Sequence, residues 1–217
     1  MSAQGGGGRG EAPRRWARER PVDVELRVFE ATERLLRDGA PFTQLALGEI
    51  SQVAGIARST FYVHFADKSD LLLRLAARAG DDLRHAADGW WRHRRSGGQA
   101  SLSEMMLQVI QTYRTHATVL AAVDEVAGYD PAVAALWRSR YDRYAQRLCR
   151  RLEDEQRDGW VPVDVDVPAA AFIVVWSIER AVSEHVRACE PAEDGALAQA
   201  LTRFAQLVIL GSGTAAA

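Results

Sequence analysis

Leu47–Phe65 reads LGEISQVAGIARSTFYVHF, and the reading of this stretch decides the fold. Ile50, Val53 and Ala54 recur at the i, i+3, i+4 spacing of one helix face, and Thr43 upstream is a candidate N-cap. Gly55 can take a positive φ at the helix end at little steric cost, and Ile56 fills the corner. A second short helix is predicted from Arg58 to about Phe65. Phe61 and Phe65, four apart, face inward, which leaves Arg58, Ser59, Thr60, Tyr62 and His64 outside. Those side chains can meet phosphate oxygens and base edges, and two helices joined this way match a helix–turn–helix that docks its second helix in the major groove. A generic helical corner that binds nothing has the same apolar skeleton, so the polar face is what separates the two readings.

Ala54-Gly55-Ile56, then Thr60-Phe61-Tyr62-Val63-His64-Phe65, then Lys68, resembles the DNA-binding segment of the TetR family of bacterial transcriptional regulators, whose pattern is close to AG(I/V)S–xxT(F/L)Yx(H/Y)F–xxK. The match extends over Val24 to Leu73. It implies that Thr60, Tyr62 and Lys68 grip phosphates, and that Arg58, Ser59 and His64 read bases or backbone. One departure is Ala57, where the family has a capping Ser; a lost cap costs about 1 kcal/mol, and Ser59, Thr60 or a phosphate would have to satisfy the free amides. Lys68 is the one lysine among 27 basic residues.

The bulk composition bounds the rest. With 217 residues and 47% hydrophobic content the chain can bury a sizeable core in one or two domains. A formal net charge of −2 argues against general charge-driven nucleic-acid binding but not against a local basic face. Residues 1–22 carry Arg9, Arg14, Arg15, Arg18 and Arg20 without apolar periodicity. They are predicted to be a disordered basic arm, free either to reach DNA or to do nothing. Cys149 and Cys189 lack metal-ligand spacing and read as reduced cysteines of a cytoplasmic protein. No signal peptide is expected, and the longest apolar run, Val167–Ile178, contains Pro168 and ends at Glu179-Arg180, so no membrane span is expected.

The apolar pattern is helical throughout. Predicted helices run from Asp23 to Leu36, through the two described above, and from Lys68 past Leu71, Leu72, Leu75 and Ala79 to a break at Ser96-Gly97-Gly98. They continue from Ser101 or Ser103, over Val119–Ala127, from Asp130-Pro131 to Asp158, over Pro168–Ala188 and from Glu193 to Leu210. The expected fold is all-α and TetR-like, with nine helices. Residues 23–67 would form the helix–turn–helix domain, and 68–213 the helical ligand-binding and dimerisation domain.

Aromatic and apolar side chains of the second domain recur on faces that could line a pocket: Met106, Ile110 and Tyr113; Trp137, Tyr141 and Tyr144; Phe172, Val175 and Trp176. Core packing would explain the same stripes. Glu179 shares a stripe with Phe172 and Trp176 and could orient a polar ligand group or pair with Arg180, Arg147 or another arginine. Ala134–Trp137, Glu153–Gly159 and Ile178–Arg180 are similar to the EthR-like subgroup of actinobacterial repressors, which implies a long aromatic-lined tunnel. Val175 and Ile178 stand where that subgroup has Asn, which favours a more apolar effector. The eighth and ninth predicted helices carry apolar residues on more than one side and are expected to pair in a two-fold homodimer.

These readings converge on a repressor released from a palindromic DNA operator by a small apolar or aromatic effector, cytoplasmic and nucleoid-associated when on DNA. No cofactor and no metal are implied. His64, His85, His93, His116 and His185 have no metal-binding spacing, and no phosphate loop or nucleophile motif is present, so no catalytic residue is assigned. The alternative is a helical effector- or partner-binding protein that does not bind DNA.

Overall fold

The computed structural model describes residues 21–210, with side chains from 22 to 91 and from 102 to 210. The predicted N-terminal arm, except its last two residues, and positions 211–213 lie outside the described residues. Among these there are eight α-helices, two 3-10 turns and no strand: α1 Pro21–Arg37, a turn Phe42–Gln44, α2 Leu47–Val53, α3 Arg58–His64, α4 Lys68–Thr115, α5 Ala117–Ala127, α6 Pro131–Arg157, α7 Val167–Ala188, a turn Pro191–Glu193 and α8 Asp194–Leu210. None of these helices is long and apolar enough to cross a membrane.

Aspartate caps start the three longest of them. Asp67 accepts from the Asp70 amide (2.8 Å) while Asp70 accepts from the Ala66 amide (3.0 Å), a reciprocal cap on α4. Asp130 caps α6 at the Ala132 amide (2.9 Å) with Pro131 in the first turn, and Asp166 caps α7 at the Ala169 amide (3.0 Å). The predicted cap for α2 is wrong. Ala46 precedes that helix without a side-chain cap, and Thr43 instead sits in the preceding turn and donates its hydroxyl to Glu125 on α5. Asp23 lies inside the first turn of α1 rather than before it.

Helical residues continue through Ser96-Gly97-Gly98, where a break was expected. A straight 48-residue helix would be about 72 Å long and would separate Asp82 from His116 by about 51 Å. Their side chains are 2.9 Å apart, and the Tyr113 hydroxyl is 3.1 Å from that of Tyr141, a neighbour of Tyr144 whose hydroxyl reaches the Gly80 carbonyl. α4 therefore reverses direction, and its arms, 68–91 and 102–115, lie in one bundle as the two expected helices would.

Two cores are stacked along the first arm of α4. The upper one joins Val28 and Phe29 of α1, Ile50 of α2, Phe61 and the following Phe65, and Leu71, Leu72 and Leu75 of α4 to Val119, Val123 and Val126 of α5. Val53, expected on the buried face of α2, is exposed instead; Ile50 and Ala54 carry that contact. The lower core joins Ala79 and Leu83 to Met106, Ile110, Val174, Val182 and Leu201. Trp137 is packed against both.

The lower bundle is tied by Asp194, a buried carboxylate at the start of α8. It accepts from Arg114 Nε (2.8 Å) and Nη2 (2.6 Å) and lies 2.9 Å from His185 Nε2. Hydrogen bonding from Arg114 holds its carboxyl below the usual range, against burial, with His185 adding to the effect. The stability this contributes is present above the ordinary carboxylate value and is lost as pH falls through the lowered folded value. Asp194→Asn is expected to cost about 3 kcal/mol at neutral pH. In thermal melts over a pH series, the deficit should shrink below about pH 4; a deficit independent of pH would contradict this account.

Candidate DNA interface and effector cavity

The corner before α3 is built as the sequence suggests. Gly55 has φ +66°, and the Ile56 amide donates back to Ser51 (3.0 Å), closing the turn. Phe61 and Phe65 are buried, with ring centroids 5.1 Å apart, and Phe65 meets Phe29 edge-on. This anchoring turns Arg58, Ser59 and Tyr62 to solvent and leaves Thr60 half-buried. Ala57 provides no cap, and neither Ser59 nor Thr60 replaces it.

Two predicted DNA contacts occupy different settings. The His64 ring is not left outside. Its side chain is 11% exposed, with Nδ1 3.8 Å from Glu25 on α1, because the helix ends there and its last turn leans on α1. Lys68 donates from Nζ to the carbonyls of Thr43 (3.0 Å) and Leu45 (2.8 Å) and lies 4.7 Å above the Phe42 ring. Burial lowers its ammonium pKa, partly offset by Glu125. Two of its three donor hydrogens thus clamp the turn before α2, and one remains. Val63 was passed over in the sequence, yet at 80% exposed it is the most prominent apolar side chain of α3.

The lower bundle contains a partly open cavity of about 690 Å³, within the range of small-molecule sites. Of the predicted lining, Met106, Tyr113, Tyr141, Tyr144, Val175 and Glu179 face it. Ile110, Trp137, Phe172 and Trp176 do not. Ile110 is fully buried in the lower core, Trp137 bridges the two cores, and Phe172 is half exposed. Trp176 is wedged between Phe172 and Tyr141 (6.1 and 5.3 Å between centroids) with its indole N–H unpartnered. Ile178, which the resemblance placed at an effector-facing position, also lines the cavity; sequence reasoning missed Trp90, Trp91 and Leu148, and a charged group on the wall formed by Arg84, Asp88, Arg147 and Arg151. Both tryptophans showed the necessary signal, two adjacent aromatics late in a helix. The cavity spans Tyr141 to Glu155 along α6, about 21 Å by helical rise.

Asp88 accepts from Arg151 (2.5 Å) and Arg84 (3.3 Å) and is 3.9 Å from Arg147. Burial works to raise its carboxyl pKa, but the Arg151 hydrogen bond and the surrounding guanidinium charges outweigh it and hold it low. At the opposite end, burial pushes the Tyr113 hydroxyl well up and raises Tyr141, so both stay protonated.

Beside this end Arg140 of α6 reaches across α4. It donates to the carbonyls of Ala76 (2.5 Å) and Ala77 (3.0 Å) and to the Tyr144 hydroxyl (3.0 Å), which donates to the Gly80 carbonyl (2.8 Å). A Cβ on Gly80 would lie 1.1 Å from Arg140 Nη2, so the guanidinium occupies the space a side chain would take.

No family model matches the chain. Over 150 residues, 69% of each protein, it is 25% identical to the HTH-type transcriptional regulator EthR of Mycobacterium tuberculosis. Its fold is shared with a TetR-family transcriptional regulator of Syntrophomonas wolfei (TM-score 0.70, 15% identity, 91% of this chain and all of that one). It is shared also with GusR of Salmonella enterica (0.67, 19%, 88% and 98%) and with FadR of Bacillus subtilis, solved with stearoyl-CoA (0.66, 17%, 86% and 98%).

Gly80→Ala is expected to destabilise the protein by about 1 kcal/mol, since lost bonds to a charged group outweigh the gain in helix propensity. In an Arg140→Ala background the same change should stabilise by about 1 kcal/mol. Urea unfolding of the four proteins checks this; an unchanged sign would remove the clamp from the account.

Proposed function

We propose that this chain, a TetR-family transcriptional regulator, binds a palindromic operator as a homodimer and leaves it when a largely apolar effector fills the cavity. The observation that carries the reading is the double membership of α4. Leu71, Leu72 and Leu75 belong to the core under the recognition helix, while Leu83, Trp90 and Trp91, further along the same arm, are cavity wall. An occupant that presses on the second group displaces the first. To act, it must bind the displaced conformer more tightly than the DNA-competent one.

In this reading α3 enters the major groove. Arg58 and Ser59 face the bases, Val63 meets a thymine methyl, and Tyr62, with Thr60 behind it, contacts phosphate. Lys68 holds the turn before α2 in place and turns its remaining hydrogen to the backbone of the DNA. His64, packed against Glu25, orients α3 on α1 rather than reading a base. The dimer uses the outer faces of α7 and α8, where Phe172, Ile173 and Leu207 are 49%, 45% and 60% exposed. Two-fold pairing there sets two recognition helices at about one helical turn of DNA, roughly 34–36 Å.

Capture of sheared host genomic DNA on the purified protein, followed by sequencing, tests the reading. Enrichment of a few palindromic sites, lost with Tyr62→Ala, supports it; no enrichment by a folded dimer overturns it. On a captured site, Arg58→Ala should cost about 1–3 kcal/mol and relax the preference at one base position, whereas Tyr62→Ala should weaken binding across sequences at an unchanged slope of log K against log salt. Leu207→Glu should give a monomer in sedimentation velocity, and a persisting dimer would move the interface elsewhere.

A further inference from the structure

Glu179 is the group on the cavity wall that the fold does not use. It sits on α7, faces the cavity beside Tyr113 and Tyr141, and makes no direct hydrogen bond or ion pair with any described residue. The nearby arginines are occupied: Arg180 pairs with Glu184 (2.6 Å), and Arg187 with Asp124 and Glu184. Burial, reinforced by Asp124 and opposed by Arg180 and Arg187, raises the Glu179 carboxyl. A half-buried carboxylate without a partner costs free energy, and the cost is removed by a cation brought to it.

The surroundings fit such a cation. Tyr113 and Tyr141 share one hydrogen bond between two hydroxyls, so one O–H hydrogen and spare lone pairs remain. Arg84, Arg147 and Arg151 gather on Asp88 further along the cavity, so the positive charge stands there and not at the tyrosine end beside Glu179.

From this geometry, and resting on the effector reading of the cavity, we propose that the effector is an amphipathic amine. Its protonated nitrogen pairs with Glu179 at the tyrosine end, and its apolar body lies along α6 toward Trp90, Trp91 and Leu148. The amine donates to the carboxylate and to a tyrosine oxygen; the chain replaces water against apolar walls.

Three probes that share one body and differ in the head group test this: decylamine, decanol and decanoate, titrated calorimetrically into the full-length protein and into Glu179→Gln. The amine is expected to bind the wild type about ten-fold or more tighter than the alcohol. Glu179→Gln should bring the amine down to the alcohol's affinity. Equal affinity of amine and alcohol in the wild type, which needs no variant, overturns the proposal. So does an amine preference that survives in Glu179→Gln, or tightest binding by decanoate, which would assign the head group to the arginines. If decanol binds and the amine has no advantage, the cavity reading stands and the amine assignment falls. If none of the three binds, the cavity reading itself falls, and the amine with it.

Discussion

The structure depends on one constraint: the first arm of α4 must satisfy two cores at once. Leu71, Leu72 and Leu75 close the core beneath the recognition helix, and Ala79 and Leu83 open the lower one. A helix is stiff over this distance and packed cores have discrete arrangements, so the two ends cannot move independently. The boundary between the parts is also bridged sideways. Val119, Val123 and Val126 of α5 complete the upper core, Thr43 and Lys68 both converge near Glu125, and Trp137 touches both cores. The upper part is therefore held by the lower one through apolar contact as well as through α4.

Arg140 is the polar counterpart of that apolar coupling. A guanidinium laid on the carbonyls of a neighbouring helix needs a missing side chain, and Gly80 supplies it where a glycine would otherwise only weaken a helix. Because Tyr144 both accepts from Arg140 and lines the cavity, the same contact that fixes α4 is in reach of an occupant. Small changes there act on Gly80, about three helical turns from the start of α4 beside the recognition domain.

What was legible in the sequence was local. Gly55 with positive φ, the Phe61–Phe65 anchor and the Asp130-Pro131 start each depend on a few neighbouring residues, and each occurs as read. That the chain is helical follows from apolar period, but helix length does not, since α4 continues through the expected break at Ser96-Gly97-Gly98. The cap at Thr43 failed for a tertiary reason: Glu125, 82 residues away, is a stronger partner for its hydroxyl than the next turn of backbone. Lys68 illustrates the same limit, since its position matched the family pattern while its carbonyl partners depend on how the preceding turn folds.

The cavity lies between these cases. Spacing placed Tyr141 and Tyr144 on the wall, but spacing cannot tell which side of a stripe faces empty space and which faces another helix. Trp137, one turn earlier on α6, was carried into the junction of the two cores, and Phe172 was turned outward. Glu179 was read as either a ligand contact or an arginine partner; it faces the cavity, while Arg180 and Arg187, which act on it through space, pair directly with Glu184 and Asp124. A charge that folding leaves unpaired beside empty apolar volume is the feature most sensitive to what enters that volume, and it gives an otherwise undiscriminating apolar site a preference among molecules of similar shape.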